Sequence, residues 1–198
     1  STNWMVGRLS GSWHVNDDVN AYVSVSRGRR PDALTFNVNP DGSYTKTVLP
    51  AETLWNYEVG IKGSAFENTF AYDPSAFYYN YTNFQRQVYQ NGQYIAVNSG
   101  RAHSPGFEAS LQQAFGDNIS AFLNYSYLHA RFDDTDQNGN PQQYAGDHLR
   151  LAPDNSASLG VLWNVPLSDS RSFYFRPSYT WRSKVYFEDD NNPSYVQV

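Results

Sequence analysis

The sequence contains no cysteine, which excludes a disulfide framework and a thiolate metal site. It also lacks any run of about 18 apolar residues, the length that a membrane-spanning helix requires, although 40 % of its 198 residues are hydrophobic. Basic residues are few: 14 Lys and Arg stand against 19 Asp and Glu, which gives a net charge of −5. No basic patch is large enough for nucleic acid. No signal peptide is visible at Ser1, which predicts a mature chain or a fragment.

Aromatic residues are abundant instead, with 16 Tyr, 12 Phe and 5 Trp making up 17 % of the chain. Tyrosine and tryptophan in a polar chain are typical of the interfacial girdles of outer-membrane barrels, in which only every second residue meets lipid. They are equally typical of a sugar-binding β-sandwich. Composition therefore leaves these two fold classes open.

The stretch from Thr53 to Gly63 alternates strictly between apolar and polar residues. Successive side chains of a β-strand point to opposite faces, so the stretch predicts a strand with one apolar and one polar face. Eleven residues at ~3.3 Å each reach roughly 36 Å, and a tilt of about 45° lets them cover the ~25 Å apolar band of an outer membrane. The same alternation along the chain predicts these lipid-facing residues: Trp55, Tyr57, Val59, Ile61, Trp163, Phe175 and Trp181.

Similar alternation predicts about eight antiparallel strands and no helix. The strands are expected at about 3–15, 20–28, 53–63, 69–86, 94–115, 119–132, 149–165 and 172–187. Asp73-Pro74 predicts an edge or a bulge in the fourth strand, since proline cannot donate to a ladder. Asp41-Gly42 and Asn91-Gly92 predict small hairpins.

The connections differ in length on the two sides of the predicted sheet. Those near 17, 66, 117 and 169 are short, whereas 29–52, 133–147 and the segment from 188 are long, and the one near 91 is intermediate. This asymmetry favours an all-β, antiparallel transmembrane β-barrel of the bacterial outer membrane. Two alternatives stay open: a complete eight-stranded barrel that acts as an adhesin or anchor, and a soluble carbohydrate-binding β-sandwich.

Six segments, in this order and spacing over about residues 20–191, resemble the barrel domain of TonB-dependent outer-membrane receptors. They are Y-V-S-V-S-R-G-R-R-P (22–31), L-P-A-E-T-L-W-N-Y-E-V-G-I-K-G (49–63), F-Y-Y-N-Y-T-N-F-Q (77–85), N-S-G-R-A-H-S-P-G-F-E (98–108), L-A-P-D-N-S-A-S-L-G (151–160) and Y-T-W-R-S-K-V-Y-F-E-D-D-N (179–191). The resemblance implies a barrel of about 22 strands with a plugged lumen. The chain 1–198 would then be a partial barrel domain near the C-terminal end, without the plug domain and the closing strands.

The resemblance also implies a function, which is the import of a scarce nutrient, most often a ferric siderophore. The driving energy would come from the TonB complex, which acts through the plug. The expected partners are therefore the TonB complex, outer-membrane lipid and lipopolysaccharide, and a small-molecule ligand. No resident cofactor and no covalent chemistry are expected. The polar faces carry many small residues, which agrees with the wide barrel that the resemblance implies. The interior of a closed eight-stranded barrel must be filled by side chains, and small ones would fill it poorly.

Candidate ligand-binding residues lie on the loop side of the predicted sheet. They are Arg27, Arg29, Arg30, Tyr89, Tyr94 and Tyr144. Arginine forks bind the oxygens of an anionic iron chelate well. The alternative for the arginines is pairing with lipopolysaccharide phosphates or loop carboxylates, and the tyrosines alternatively belong to the upper aromatic girdle.

The segment Asp134-x-Asp136-x-Asn138-Gly139 matches the first half of a calcium loop. Its twelfth position is Ala145, where a bidentate Glu is required. The pattern predicts a hydrated acidic loop, with a weak Ca²⁺ site formed by Asp134, Asp136 and Asn138 as the alternative. The four histidines are scattered and no nucleophile elbow is present, so we expect no catalytic site.

Overall fold

A computed structural model describes residues 5–39, 41–90 and 93–197, without the side chains of Asn37, Tyr89, Gln90 and Gln93. The described residues fold into antiparallel strands joined by turns and loops, with no helix among them. In particular, none of them forms a helix that is long and apolar enough to span a membrane. The all-β prediction is confirmed.

The described residues form sixteen strands. They are β1 (Gly7–Asn16), β2 (Val19–Arg30), β3 (Ala33–Val38), β4 (Tyr44–Leu49), β5 (Glu52–Ala65), β6 (Phe70–Thr82), β7 (Gln85–Gln90), β8 (Gln93–Asn98), β9 (Arg101–Phe115), β10 (Ile119–Leu128), β11 (Arg131–Phe132), β12 (Asn155–Ser168), β13 (Arg171–Phe175), β14 (Ser178–Arg182), β15 (Val185–Tyr186) and β16 (Val196–Gln197).

The long strands form one sheet in which chain neighbours are sheet neighbours, in the order β1-β2-β5-β6-β9-β10-β12-β13, with β14 also paired to β12. β13 and β14 occupy the position of the predicted eighth strand, since both pair with β12. Within the described part of the chain, β1 does not pair with β13 or β14. The alternative of a closed eight-stranded barrel is therefore wrong, because the sheet has two open edges.

One face of this sheet is apolar along its whole width, as the register shows. Val23 of β2 lies opposite Val59 of β5, which lies opposite Ala76 of β6, and Ala76 lies opposite Phe107 of β9. We call this side the apolar face. Its side chains point outward rather than into a core: Val59 is 57 % exposed and Trp55 is 37 % exposed. A sandwich would bury them between two sheets, so the sandwich alternative is also wrong.

The opposite side, the polar face, carries hydroxyl and amide side chains that hydrogen-bond from strand to strand. Ser110 Oγ donates to Asn124 Oδ1 at 2.8 Å, and Asn124 Nδ2 donates to Ser158 Oγ at 3.3 Å. Tyr22 Oη donates to Glu58 Oε1 at 2.9 Å. This network ties neighbouring strands together on a surface that water can reach.

Aromatic rings on the polar face cover glycines that lie directly across the ladder. Phe122 is the register partner of Gly160, and Phe77 is the partner of Gly106. A Cβ built on Gly160 would lie 2.6 Å from the Phe122 ring and 2.9 Å from the backbone oxygen of Pro177. The glycines thus make room for the rings, a device that pins the register of neighbouring strands.

Several strand ends differ from the predicted ones. The fourth predicted strand ends at Thr82 and the fifth begins at Arg101, because 83–100 is a long connection with its own hairpin, β7–β8, rather than an intermediate one. The turn at Asn91-Gly92 itself lies outside the described residues. The hairpin predicted around Asp41-Gly42 is confirmed as β3–β4.

The expected edge or bulge at Asp73-Pro74 is wrong. β6 lies inside the sheet, and Pro74 lies opposite Ala109 of β9 without a shift of register. Towards β5 the pairs Gly60–Ser75 and Gly63–Tyr72 enclose a short gap in the ladder, with the same number of residues on both strands. The missing proline N–H therefore interrupts one ladder locally and leaves the alternation of faces intact.

Candidate ligand-binding site at the loop end of the sheet

A cavity of about 510 Å³ lies on the polar face where the long strands continue into the long loops. Strands β2, β6, β9 and β10 contribute residues to this cavity, together with the segments that follow β6, β10 and β15. The lining residues are Arg30, Tyr79, Tyr81, Phe84, Gln85, Arg86, Gln87, Ser104, Leu128, Ala130, Leu149, Arg150, Ala152 and Asp189. Cationic and aromatic side chains therefore meet in one concave surface.

The aromatic part of the cavity wall continues a chain of ring contacts along the polar face. The rings of Phe77 and Tyr79 lie 4.9 Å apart, and those of Tyr81 and Phe84 lie 5.3 Å apart. Phe84 then meets Phe132, which is only 2 % exposed, at 6.0 Å. Tilted and edge-on pairs of this kind stabilise one another beyond their burial. The wall is thus a fixed aromatic surface.

Among the described residues, three guanidinium groups and one carboxylate line the cavity, so these side chains carry a net positive charge. Arg30 Nη1 donates to the backbone oxygen of Gln85 at 3.0 Å, which holds this arginine at the cavity wall. Arg86 forms a largely buried ion pair with Asp189 and lies over the Tyr144 ring at 4.6 Å. Arg150 is exposed. Because Arg86 already pairs with Asp189, the charges of Arg30 and Arg150 remain for an anionic ligand.

Gln85 fixes the geometry at the base of this cavity and is only 4 % exposed. Its backbone N–H donates to Glu52 Oε2 at 2.7 Å, while Nε2 donates to the backbone oxygens of Pro31 and Pro50 at 3.1 and 2.9 Å. Oε1 finds no hydrogen-bond donor within the described part of the chain. A buried acceptor without a partner is costly, so a ligand donor that reached this oxygen would remove that cost.

The loop 129–154 is held in place by charged groups behind the cavity. Arg131 makes two hydrogen bonds of 3.0 Å to the two oxygens of Asp154, and His148 Nδ1 lies 3.5 Å from Asp154 Oδ1. The Asn191 side chain makes two hydrogen bonds to the backbone of His148. Its Oδ1 accepts from the His148 N–H at 2.8 Å, and its Nδ2 donates to the His148 carbonyl oxygen at 3.0 Å. Burial, and then the positive charge of Arg131, lower the pKa of His148 below its usual value.

Lowering the pH should loosen the loop 129–154. Because the folded-state pKa of His148 is depressed, the unfolded loop binds the proton first, so stability is present above about pH 6.5 and is lost as the pH falls through the folded-state pKa. The nearby Asp147 acts in the opposite direction, since burial and Asp190 raise its pKa. Hydrogen exchange in this loop, corrected for intrinsic rates, should rise from about pH 7.5 to about pH 5.5. In His148→Gln the rise should shrink; an unchanged rise would contradict the prediction.

Comparisons with known proteins decide the family. A model of the family described as "TonB dependent receptor-like, beta-barrel" matches residues 1–198. The chain belongs to this family. The pesticin receptor of Yersinia pestis is 23 % identical over 159 residues, which are 79 % of this chain and 22 % of the receptor.

Solved structures of TonB-dependent receptors have the same fold. The ferric yersiniabactin uptake receptor of Yersinia pestis aligns with a TM-score of 0.78 and 21 % identity, over 97 % of this chain and 27 % of that receptor. The ferric preacinetobactin receptor of Acinetobacter baumannii aligns with a TM-score of 0.68 and 18 % identity, over 94 % of this chain and 26 % of that receptor. The chain thus spans about a quarter of the length of these relatives, and its open sheet is a partial barrel.

The structure of this TonB-dependent receptor chain separates the three arginines that we predicted as ligand-binding residues. Arg30 lines the cavity. Arg27 lies on the apolar face, where its guanidinium carbon is 5.6 Å from the centre of the Trp55 ring. Arg29 is largely buried, 3.6 Å from Asp32. Alternation explains the difference, since Arg30 is on the other face of β2 from Arg27 and Arg29.

The three predicted tyrosines also lie apart. Tyr144 packs against Phe132 at 5.8 Å and against Arg86, behind the cavity rather than in its lining. Tyr94 lies on β8 and is 74 % exposed, while the Tyr89 side chain lies outside the described residues. Sequence reasoning missed Tyr79, Tyr81 and Arg86. Tyr79 and Tyr81 could have been found from the sequence, because the alternation of β6 places them on the polar face and Tyr78 on the apolar face.

The segment 134–139, which we predicted as a hydrated acidic loop with a weak Ca²⁺ site as the alternative, forms a tight turn. Asp136 Oδ1 accepts hydrogen bonds from the backbone N–H groups of Asn138 and Asn140 at 2.8 and 2.9 Å. These bonds lower the pKa of Asp136, with the Asn140 side chain as the largest cause. Ca²⁺ binding by Asp134, Asp136 and Asn138 stays a prediction, and a cation there would share the Asp136 carboxylate with the turn.

Proposed function

We propose that this chain forms part of the wall and of the extracellular mouth of an outer-membrane receptor that imports a ferric siderophore. The TonB complex would supply the energy through a plug domain carried by the remainder of a longer polypeptide. The relatives named above support a receptor that transports iron chelates. The chemistry we assign is binding and passage through the barrel, without a covalent step.

The observation that carries this proposal is the cavity at the loop end of the polar face. Its arginines match the charge of an anionic iron chelate, because guanidinium forks bind oxygen anions with two hydrogen bonds. Tyr79, Tyr81 and Phe84 offer ring faces to aromatic chelating groups. The unpartnered Gln85 Oε1 accepts from an N–H or O–H of the ligand. Anion, ring and donor are thus recognised together within about 510 Å³.

The rest of the polar face suits passage rather than tight binding. Serines, Asn124 and Glu58 present hydroxyl, amide and carboxylate groups that hydrogen-bond to one another and to water. We infer that this surface faces the lumen of the complete barrel, where it meets water or the plug domain. The apolar face then meets outer-membrane lipid.

Arg150→Gln in the complete receptor should weaken the binding of an anionic ferric siderophore about 10- to 150-fold, because a net charge-assisted hydrogen bond of roughly 1.5–3 kcal/mol is lost. Arg150 is exposed, so we expect the fold to be unaffected. The matched control is Arg182→Gln, which removes the same charge from β14, outside the cavity lining. Fluorescence titrations with ferric yersiniabactin and ferric preacinetobactin measure the affinity.

Uptake of radioactive iron by cells tests the transport part of the proposal. Cells that carry the complete receptor should accumulate iron from the siderophore that binds, and deletion of TonB should abolish this uptake. Uptake that persists without TonB would refute the energy source. If neither chelate binds, or if Arg182→Gln weakens binding as much as Arg150→Gln, the cavity is not the ligand site.

A further inference from the structure

The β3–β4 hairpin exposes the more apolar of its two faces. Register partners in the hairpin share a face, and one of the two faces is apolar except for a single lysine. This face, which we call the hairpin outer face, consists of Leu34, Phe36, Val38, Tyr44, Lys46 and Val48. Phe36 is 53 % exposed and Val48 is 62 % exposed. A contiguous apolar surface of this kind is typical of a site that contacts another surface.

The opposite face of the hairpin packs against the β7–β8 hairpin. Both β3 and β4 contact β8. Thr35 and Leu49, which lie on this opposite face, are buried, and so is Ile95 of β8. The hairpin therefore buries a face that contains threonines and leaves the more apolar face uncovered. Folding normally buries the more apolar side, so the hairpin outer face calls for a cover that the described residues do not supply.

The order of the strands in the sheet shows which way the hairpin outer face points. The β3–β4 hairpin connects β2 to β5, whereas the β7–β8 hairpin connects β6 to β9. In the sheet these strands follow the order β1-β2-β5-β6-β9, so β8 lies on the β9 side of the β3–β4 hairpin. Because the opposite face of the hairpin contacts β8, the hairpin outer face points the other way, towards β1 and the open edge of the sheet.

In the complete barrel, a further strand must pair with the open edge of β1, because a closed barrel has no edges. Chain neighbours are sheet neighbours along this sheet, so that strand is the one that precedes β1. β1 begins at the loop end, where Gly7 pairs with Arg27, and an antiparallel neighbour must therefore be connected to it at that end. We call this connection the entering loop. Its last residues before β1, Met5 and Val6, are apolar and exposed.

We propose that the hairpin outer face is the docking surface for the entering loop of the same polypeptide. The loop covers this face with apolar side chains and pairs a carboxylate with Lys46, since a covered cation without a partner is costly. Docking also steadies the base of the hairpin, where Gln85 of the cavity donates to the backbone oxygens of Pro31 and Pro50. This inference goes beyond the proposed function and does not depend on the ligand, because it needs only that the barrel continues beyond β1.

The reaction of introduced cysteines with a maleimide reagent tests the proposal in the complete receptor, free of other cysteines and purified in detergent without a ligand. Phe36→Cys should react at least about tenfold more slowly than Thr47→Cys, because the reagent reaches a covered thiol only when the loop opens locally. Thr47 is the matched control, since it is exposed on the opposite face of the same hairpin. Without a cover, both positions are exposed and should react alike.

Hydrogen exchange identifies the segment that provides the cover. Phe36→Asp should speed exchange in the residues directly before Gly7, whereas Thr47→Asp should leave them unchanged. The proposal is overturned if Phe36→Cys reacts as fast as Thr47→Cys, or if exchange rises only in other segments. It is also overturned if protection of position 36 disappears on dilution of the receptor, which would indicate a second copy. Heat-dependent gel mobility shows whether each variant is folded, and Val48→Cys gives a second measure should Phe36→Cys fail to fold.

Discussion

Replacing Val59 by arginine should lower the free energy of unfolding of the complete receptor by about 2–4 kcal/mol, the cost of a cation near the bilayer midplane. Val59 lies on the apolar face, two rows from Trp55 and two rows from Gly63, so it is expected near the middle of the lipid-facing band. Its neighbours Val23 and Ala76 offer no charge to pair with. The arginine would have to remain in hydrocarbon or distort the surrounding lipid.

Urea unfolding of the receptor in phospholipid vesicles, followed by tryptophan fluorescence, measures this loss. The matched variant is Ser12→Arg, which introduces the same group on the polar face of β1, where water solvates it. We expect Ser12→Arg to change stability by less than about 0.5 kcal/mol, as most surface substitutions do. A loss below half a kcal/mol in Val59→Arg would show that this face does not meet lipid.

Gly160→Ala should destabilise the barrel by about 1–3 kcal/mol, the usual cost of overpacking a filled site. The added methyl group would lie 2.6 Å from the Phe122 ring and 2.9 Å from the Pro177 backbone oxygen. The ring can rotate away only by leaving the glycine that it covers, and the backbone oxygen is fixed because it accepts a hydrogen bond from the Val161 N–H. The strain must therefore be relieved by shifting β14 relative to β12.

Gly28→Ala is the matched control, because Gly28 lies on the same face and a Cβ there would meet only the Leu54 Cβ at 3.9 Å, an ordinary contact. We expect it to be neutral or to stabilise by up to about 1 kcal/mol, since alanine reduces the freedom of the unfolded chain. The same urea titration compares both variants. Equal effects of the two substitutions would mean that the Phe122–Gly160 pair does not constrain the register.

Alternation was sufficient to predict the eight strand positions of the sheet and the apolar face, because side chains that meet different solvents on two faces leave a period of two in the sequence. Trp55, Tyr57 and Val59 are exposed, as their lipid-facing assignment requires, and their contact with lipid stays a prediction. The strand ends were predicted less well. Phe84 to Gly100 continues the polar and aromatic composition of β6, so composition could not indicate that the chain leaves the sheet at Thr82.

The cavity was harder to predict, because its residues come from segments that are distant in sequence. Arg86 meets Asp189 across 103 positions, and Gln85 meets Pro31 across 54. No local pattern encodes such contacts. The prediction grouped Arg27, Arg29 and Arg30 because they are close in sequence, whereas the alternation of β2 places Arg30 at the cavity and Arg27 on the apolar face.

The ion pair between Arg86 and Asp189 limits how the loops of this receptor can diverge. Loops exposed on a cell surface usually accept substitutions and insertions freely, but here both charges are largely shielded from water and come from different loops. Loss of either partner would strand the other in a poorly solvated place, at a cost of roughly 3–5 kcal/mol. Positions 86 and 189 are thus expected to change jointly in evolution, while the tip of the β3–β4 hairpin drifts independently.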